Sequence, residues 1–168
     1  EDILSAAHAG SAYVKHTPIT PSAALSELCG GTVVLKAENL QRTGSFKIRG
    51  ALNKLSTLGA NAQHGVVAGS AGNHAGALAF AAKAHGVKCE IFVPSGASLS
   101  KIAACRAYGA TASEGGESLD NAVARAMERA QETGMAFCHP YDDVAVIAGQ
   151  ATLGLELIKD IENLRTVI

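Results

Sequence analysis

An α/β fold, built of mostly parallel open sheets with helices on both faces, is predicted by three observations. Short apolar runs rich in Val, Ile and Phe alternate with longer, alanine-rich stretches of helical periodicity. The spacing between successive apolar runs leaves room for a crossover helix, so neighbouring strands should run parallel with right-handed connections. Glycine and small polar residues cluster where an apolar run gives way to a helical one, as in Gly69-Ser70-Ala71-Gly72-Asn73. A chain of 168 residues, nearly half of them apolar (48%), can bury a sizeable core of this kind and is not a candidate for disorder.

Leading helices are expected near residues 3–14 and 22–28, packed on the outside and punctuated by Pro18 and Pro21. Residues 33–36, 65–69, 89–93, 110–113 and 135–138 read as strands. Between them 45–56, 73–85, 100–108, 118–132 and 144–161 read as helices, most plainly where alanine dominates. No internal repeat and no linker-like segment interrupts this order. Residues 165–168 read as the opening of another buried strand. With no initiating Met at the other end, the sequence is expected to be a fragment or one piece of a larger assembly. A strand face left uncovered in that way should make the isolated chain self-associate.

The net charge of −1 offers no electrostatic case for nucleic acid or an anionic membrane. No apolar run is long enough to span a bilayer and no signal-peptide pattern opens the chain. Cys29, Cys89, Cys105 and Cys138 are scattered without a Cys-x-x-Cys pair, which fits reduced thiols in a cytoplasmic protein. Neither they nor the six histidines show metal-ligand spacing, so no metal site is expected.

Three segments carry candidate chemistry. In Thr43-Gly44-Ser45-Phe46-Lys47-Ile48-Arg49-Gly50-Ala51, Gly44 and Ser45 read as a turn and an N-cap, which puts Lys47 in the first turn of a helix. The macrodipole is partly positive there, so a cation is disfavoured and the ammonium pKa is lowered. A neutral amine is what a Schiff-base lysine needs, although a surface lysine at a helix start is the plainer reading. The second segment, Gly69-Ser70-Ala71-Gly72-Asn73-His74, joins a strand to a helix. Its glycines allow a sharp turn that presents N–H groups to an anion, or simply caps the helix, with Asn73 as cap or ligand contact. It has neither the dinucleotide Gly-x-Gly-x-x-Gly spacing nor a Walker A pattern. His74 reads as a structural residue. In the third, His139-Pro140-Tyr141-Asp142-Asp143, Asp142 or Asp143 reads as the cap of the following helix in preference to a metal or acid–base pair, and Gly149 in Ile147-Ala148-Gly149-Gln150 allows a close backbone approach.

Together these segments identify a family. The block from Glu38 through Asn39-Leu40-Gln41-Arg42 to Lys47 and Ala51 resembles the lysine motif of threonine and serine dehydratases, pyridoxal phosphate enzymes of fold type II (the tryptophan synthase β-like fold). Ser70-Ala71-Gly72-Asn73-His74 resembles their Ser-Ser-Gly-Asn-His loop, and the 139–150 segment their later motif. Order and spacing agree over essentially the whole chain. The resemblance implies pyridoxal 5'-phosphate as cofactor, with Lys47 as Schiff-base and catalytic lysine. It implies Phe46 against the ring, Asn73 on the ring's 3-oxygen, and Ser70, Ala71, Gly72, Asn73 and His74 as the cradle for the substrate carboxylate. The reaction implied is elimination of water from threonine, or less readily serine, to a 2-oxo acid and ammonia.

Ala71 departs from the pattern, because serine racemases of this group carry there a second serine that acts as acid–base on the face opposite the lysine. A methyl group cannot shuttle a proton, so elimination is favoured over racemisation. In the family the glycine-rich loop that grips the cofactor phosphate and the partner of the pyridine nitrogen lie beyond residue 168. The chain thus reads as a truncated amino-terminal portion. Residues 1–51 would begin the larger cofactor lobe, 52–147 form a smaller mobile lobe and 148–168 return to the larger one. A homo-oligomer, or pairing with the missing carboxy-terminal portion, is expected. The rival readings are a serine racemase or sister lyase, a catalytically silent half, and a module that binds a small carboxylate without using Lys47.

Overall fold

The computed structural model describes residues 2–168. The chain opens with helix α1 (Asp2–Gly10), followed by strand β1 (Ile19–Pro21), helix α2 (Ala23–Cys29) and strand β2 (Val34–Lys36). β1 and β2 pair antiparallel, with Thr20 opposite Leu35. No strand was expected at β1, where the prolines read as punctuation between helices. Three residues are too few to show a period, and Pro21, which has no N–H to give, is tolerated because the pair is all edge. Ser22 caps α2 by accepting from the Leu25 N–H, and Gly30 closes it in the left-handed conformation (φ 65°).

Four parallel strands form the main sheet: β3 (Val66–Gly69), β4 (Cys89–Val93), β5 (Thr111–Glu114) and β6 (Ala136–Phe137). Their order is β5-β4-β3-β6. Helices α4 (Asn73–His85), α5 (Leu99–Ala107) and α6 (Leu119–Thr133) connect them, while α3 (Lys47–Leu58) precedes the sheet and α7 (Val144–Asp160) follows it. Strand alternation divides the core. Val66 and Ala68 face α3, α4 and α5 together with Ile48, Leu52, Leu55, Leu78 and Ile91, whereas Val67 and Phe92 face Ala122 and Ala126 of α6 on the other side. Gly69, at the end of the central strand, lets α6 come close, since a Cβ there would sit 2.5 Å from the Ala122 carbonyl oxygen.

Two sequence expectations are corrected. Ser45 is not an N-cap: α3 begins at Lys47 and the residue before it, Phe46, already has helical dihedrals (φ −61°, ψ −16°). The Phe46 carbonyl accepts from the Arg49 N–H at 3.0 Å, so the helix starts in a tight i to i+3 turn and the buried Ser45 hydroxyl has no partner in the protein. Residues 165–168 form no strand, and among the described residues no backbone hydrogen bond joins them to the sheet.

Helix α3 is the element that places the site. One face, with Ile48, Ala51, Leu52 and Leu55, is buried against α4 and the sheet. The other meets α7 so closely that a Cβ on Gly149 would lie 2.6 Å from the Arg49 carbonyl oxygen. The Gly50 N–H donates to Gln150 Oε1 at 3.1 Å across the same crossing.

Candidate active site

In the strand order the chain moves from β3 to β4 on one side and later returns to β6 on the other. The switch point therefore lies at the carboxyl ends of β3 and β6, the place where open α/β sheets bind ligands. Two of the three segments singled out from the sequence leave the sheet there, and Lys47 of the third reaches them. Lys47 Nζ donates to the Pro140 carbonyl at 2.9 Å. His74 Nε2 donates to the Cys138 carbonyl at 3.1 Å. The segment after β6 thus anchors the lysine and the glycine-rich loop within two residues of each other.

Lys47 is the first residue of α3, where the helix field disfavours a cation. Partial burial holds its ammonium pKa below the usual lysine value. The Phe46 ring is partly exposed (38%), and the Lys47 ammonium lies 5.3 Å from its centroid. Thr43 Oγ1 and Ser45 Oγ are buried nearby in sequence with no partner in the protein.

The loop after β3 is strapped to the sheet by the Ser70 N–H, which donates to the Phe92 carbonyl at 2.9 Å. Gly72 occupies the N-cap position of α4 and Asn73 is its first residue, so Asn73 is not the cap. The Gly72 N–H donates to Ser70 Oγ at 3.3 Å, which leaves the Ser70 hydroxyl proton free to serve another acceptor. Asn73 Oδ1 accepts from Lys101 Nζ of α5 at 3.0 Å. His74 is 3% exposed, and its Nδ1 has no partner in the protein. Burial pushes its pKa down to about 4, against the Cys138 hydrogen bond and with the Lys47 charge adding to the depression. The imidazole is therefore neutral near pH 7, with its proton on Nε2.

On the third segment, His139 Nδ1 accepts from the Asp142 N–H at 2.8 Å, and its ring stands edge-on to Tyr141 with centroids 4.6 Å apart. Asp143 caps α7, accepting from Ala145 and Val146, and its other oxygen takes Lys54 Nζ at 2.5 Å.

The rest of the lysine motif is structural. Arg49 is 3% exposed and grips Glu38 through two parallel bonds of 2.9 Å, while its third nitrogen reaches Thr152 at 3.2 Å and Glu156 at 2.8 Å. Thr17 and Gln41 complete the hydrogen bonding of Glu38, and Lys36 pairs with Glu156 at 2.6 Å. This network ties β2, the turn after it, α3 and α7 into one frame beneath Lys47.

The sequence model of the family described as pyridoxal-phosphate dependent enzyme matches residues 11–168. The chain belongs to that family. Among individual members, an L-threonine ammonia-lyase of Thermotoga maritima is 44% identical over all of this chain and 42% of its own length. The crystal structure of a serine racemase from Dictyostelium discoideum matches with a TM-score of 0.86 and 38% identity, over 97% of this chain and 53% of that one. The processed form of threonine deaminase isoform 2 from Solanum lycopersicum matches with a TM-score of 0.89 and 33% identity, over 97% and 45%. The chain spans about half the length of the curated relatives it matches.

The residues present fit what the pyridoxal-phosphate dependent family needs at this end of the sheet. A lysine of depressed pKa stands beside an open aromatic face, next to a glycine-rich turn and a helix N-terminus. The orphaned hydroxyls of Thr43 and Ser45 and the orphaned Nδ1 of His74 are polar atoms that the protein alone leaves unsatisfied.

Two contributors were not visible in the sequence. Pro140 acts through its carbonyl, which no side-chain pattern advertises, and Lys101 is an exposed helical lysine like several others.

Proposed function

We propose that this chain is the amino-terminal part of a dehydratase that acts on threonine, with serine as a lesser substrate, and releases a 2-oxo acid and ammonia. The observation that carries the reading is the placement of Lys47: first turn of α3, depressed pKa, and tethered to the strand end that also anchors the 70–74 loop. The names of the relatives support it.

Bound at this site, pyridoxal 5'-phosphate supplies the electron sink for charge developing at the substrate α-carbon. Lys47 Nζ would hold the cofactor and would take the α-proton, a task suited to an amine whose ammonium is already disfavoured. Phe46, with its partly exposed ring beside Lys47, would pack against the cofactor. The Asn73 amide would serve the 3-oxygen, and Ser70 with the backbone N–H groups through His74 would hold the carboxylate. A neutral His74 keeps the loop docked on Cys138 without adding charge. Ala71 offers no proton to the opposite face, which favours elimination over racemisation.

The likeness to a serine racemase keeps a second reading open to the same experiment. The full-length protein, given L-threonine, should form a 2-oxo acid and ammonia in equal amounts, and L-serine should react more slowly. Borohydride reduction with pyridoxal phosphate should label Lys47 in preference to Lys54, Lys83 and Lys101. Formation of the D-amino acid without 2-oxo acid would establish the racemase reading instead.

The lobe division at residues 51/52 and 147/148 belongs to this proposal. The antiparallel pair falls within 1–51 and the four parallel strands within 52–147, which supports it. So do pairing with a carboxy-terminal portion or assembly as a homo-oligomer, for which the exposed Val144, Ile147 and Ile158 of α7 offer an apolar surface. A cytoplasmic location is supported by the unpaired cysteines, with Cys89, Cys105 and Cys138 buried. No described helix is long and apolar enough to cross a membrane.

A further inference from the structure

Asn73 presents an amide, and an amide has two faces: an oxygen that only accepts and a nitrogen that only donates. Which end points toward a ligand decides whether the residue attracts or repels an anionic oxygen. In this chain the choice is made by Lys101. Its ammonium, carried on α5 and reaching the loop from outside, lies 3.0 Å from Asn73 Oδ1. An ammonium has no acceptor, so the atom it meets must be the carbonyl oxygen, and the Asn73 amide cannot be turned round without setting two donors against each other. The Asn73 nitrogen has no hydrogen-bond acceptor among the described residues. Ser70, Ala71 and Lys101 also line one shallow depression beside the loop, together with Ile102 and Cys105 of the same helix.

We propose that Lys101 is a positioning residue for the cofactor: by occupying Asn73 Oδ1 it fixes the amide so that its N–H donors are the end available to the pyridine ring's 3-oxygen. The proposal rests on the reading of Asn73 as the partner of that oxygen. It assigns Lys101 no contact with substrate or cofactor. The bond is charge-assisted, which strengthens the hold and polarises the amide so that its donors become better donors.

The test is binding of pyridoxal 5'-phosphate to the full-length protein, read as affinity and as the absorbance of the bound cofactor across pH. Lys101→Met should weaken binding by about three- to tenfold, the scale of one hydrogen bond. It should also shift absorbance toward the shorter-wavelength form that carries a proton on the ring oxygen. Lys101→Arg should restore both. Lys101→Glu, whose carboxylate would accept from the Asn73 nitrogen and turn the amide, should be worse than Met.

Asn73→Ala separates the two layers of the argument. Loss of affinity in Asn73→Ala with none in Lys101→Met or Lys101→Glu overturns the role of Lys101 and leaves Asn73 its own. No loss in Asn73→Ala overturns both. Additive losses in the Lys101→Met/Asn73→Ala double variant also overturn the proposal, because a residue that acts only through Asn73 has nothing left to do once Asn73 is gone.

Discussion

Gly50 and Gly149 meet backbone to backbone, and the crossing of α3 over α7 has no room for a methyl group on either side. A Cβ on Gly50 would lie 2.8 Å from the Val146 carbonyl oxygen, and one on Gly149 would lie 2.6 Å from that of Arg49. Gly50→Ala or Gly149→Ala should each destabilise the protein by about 1–3 kcal/mol, the usual cost of overpacking. Urea unfolding is the check. Because Lys47 is one turn from Gly50, borohydride labelling of Lys47 should fall in both variants even in the fraction that remains folded.

His74 makes stability depend on pH. Its folded pKa of about 4 lies below the ordinary value of 6.5, so the unfolded chain binds a proton over that interval and the folded one does not. The contribution is fully present above pH 6.5 and is lost progressively as pH falls toward 4, by an amount on the order of 3 kcal/mol. His74→Asn, which keeps an uncharged donor for the Cys138 carbonyl, should flatten the pH dependence of the unfolding midpoint in this window. A slope unchanged by the substitution would assign it to other groups.

Asp143 serves two partners, the N-terminus of α7 and Lys54, and two substitutions separate them. Asp143→Ala should cost about 1 kcal/mol for the lost cap alone, with the Lys54 pair in addition. Asp143→Asn keeps a good capping side chain and should cost less. The hydrogen bonds from Lys54, Val146 and Ala145 outweigh burial and hold the Asp143 pKa below its ordinary 3.8. Its stabilisation is therefore present above pH 3.8 and lost as pH falls through the lowered value, a step that acid unfolding of Asp143→Asn should lack.

Arg49 cannot lose Glu38 cheaply. Glu38→Ala would leave a buried guanidinium with Glu156 as its remaining carboxylate, and should destabilise by about 3–5 kcal/mol. Replacing Glu38 and Arg49 together by apolar residues should cost less than Glu38→Ala alone, which thermal unfolding of the two variants will rank.

Much of this was legible in the chain. The bounds of α4 and β4 coincide with the alanine-rich and apolar runs that announced them, because long helices and buried strands are set by periodicity that tertiary context seldom overrides. Residues 19–21 were not legible as a strand, since a short edge carrying a proline has no pattern of its own. Ser45 read as a cap from its residue type, but the tight turn through Phe46 took the first helical hydrogen bond one residue later. Within the site, Lys47 was legible as a cation placed against the helix field. The Pro140 carbonyl and the hand-off from Lys101 to Asn73 were not, because backbone acceptors and lone surface lysines leave no mark in a sequence.

Two lysines, Lys47 and Lys54, rise from the same helix toward residues 140–143, and the chain treats them unequally. Lys54 receives the carboxylate of Asp143, while Lys47 receives an uncharged carbonyl. A carbonyl accepts from an ammonium and an amine alike, so the contact of Lys47 does not depend on its charge. Among the described residues the carboxylate goes to Lys54, and the lysine proposed for the Schiff base, two turns away on the same helix, has none.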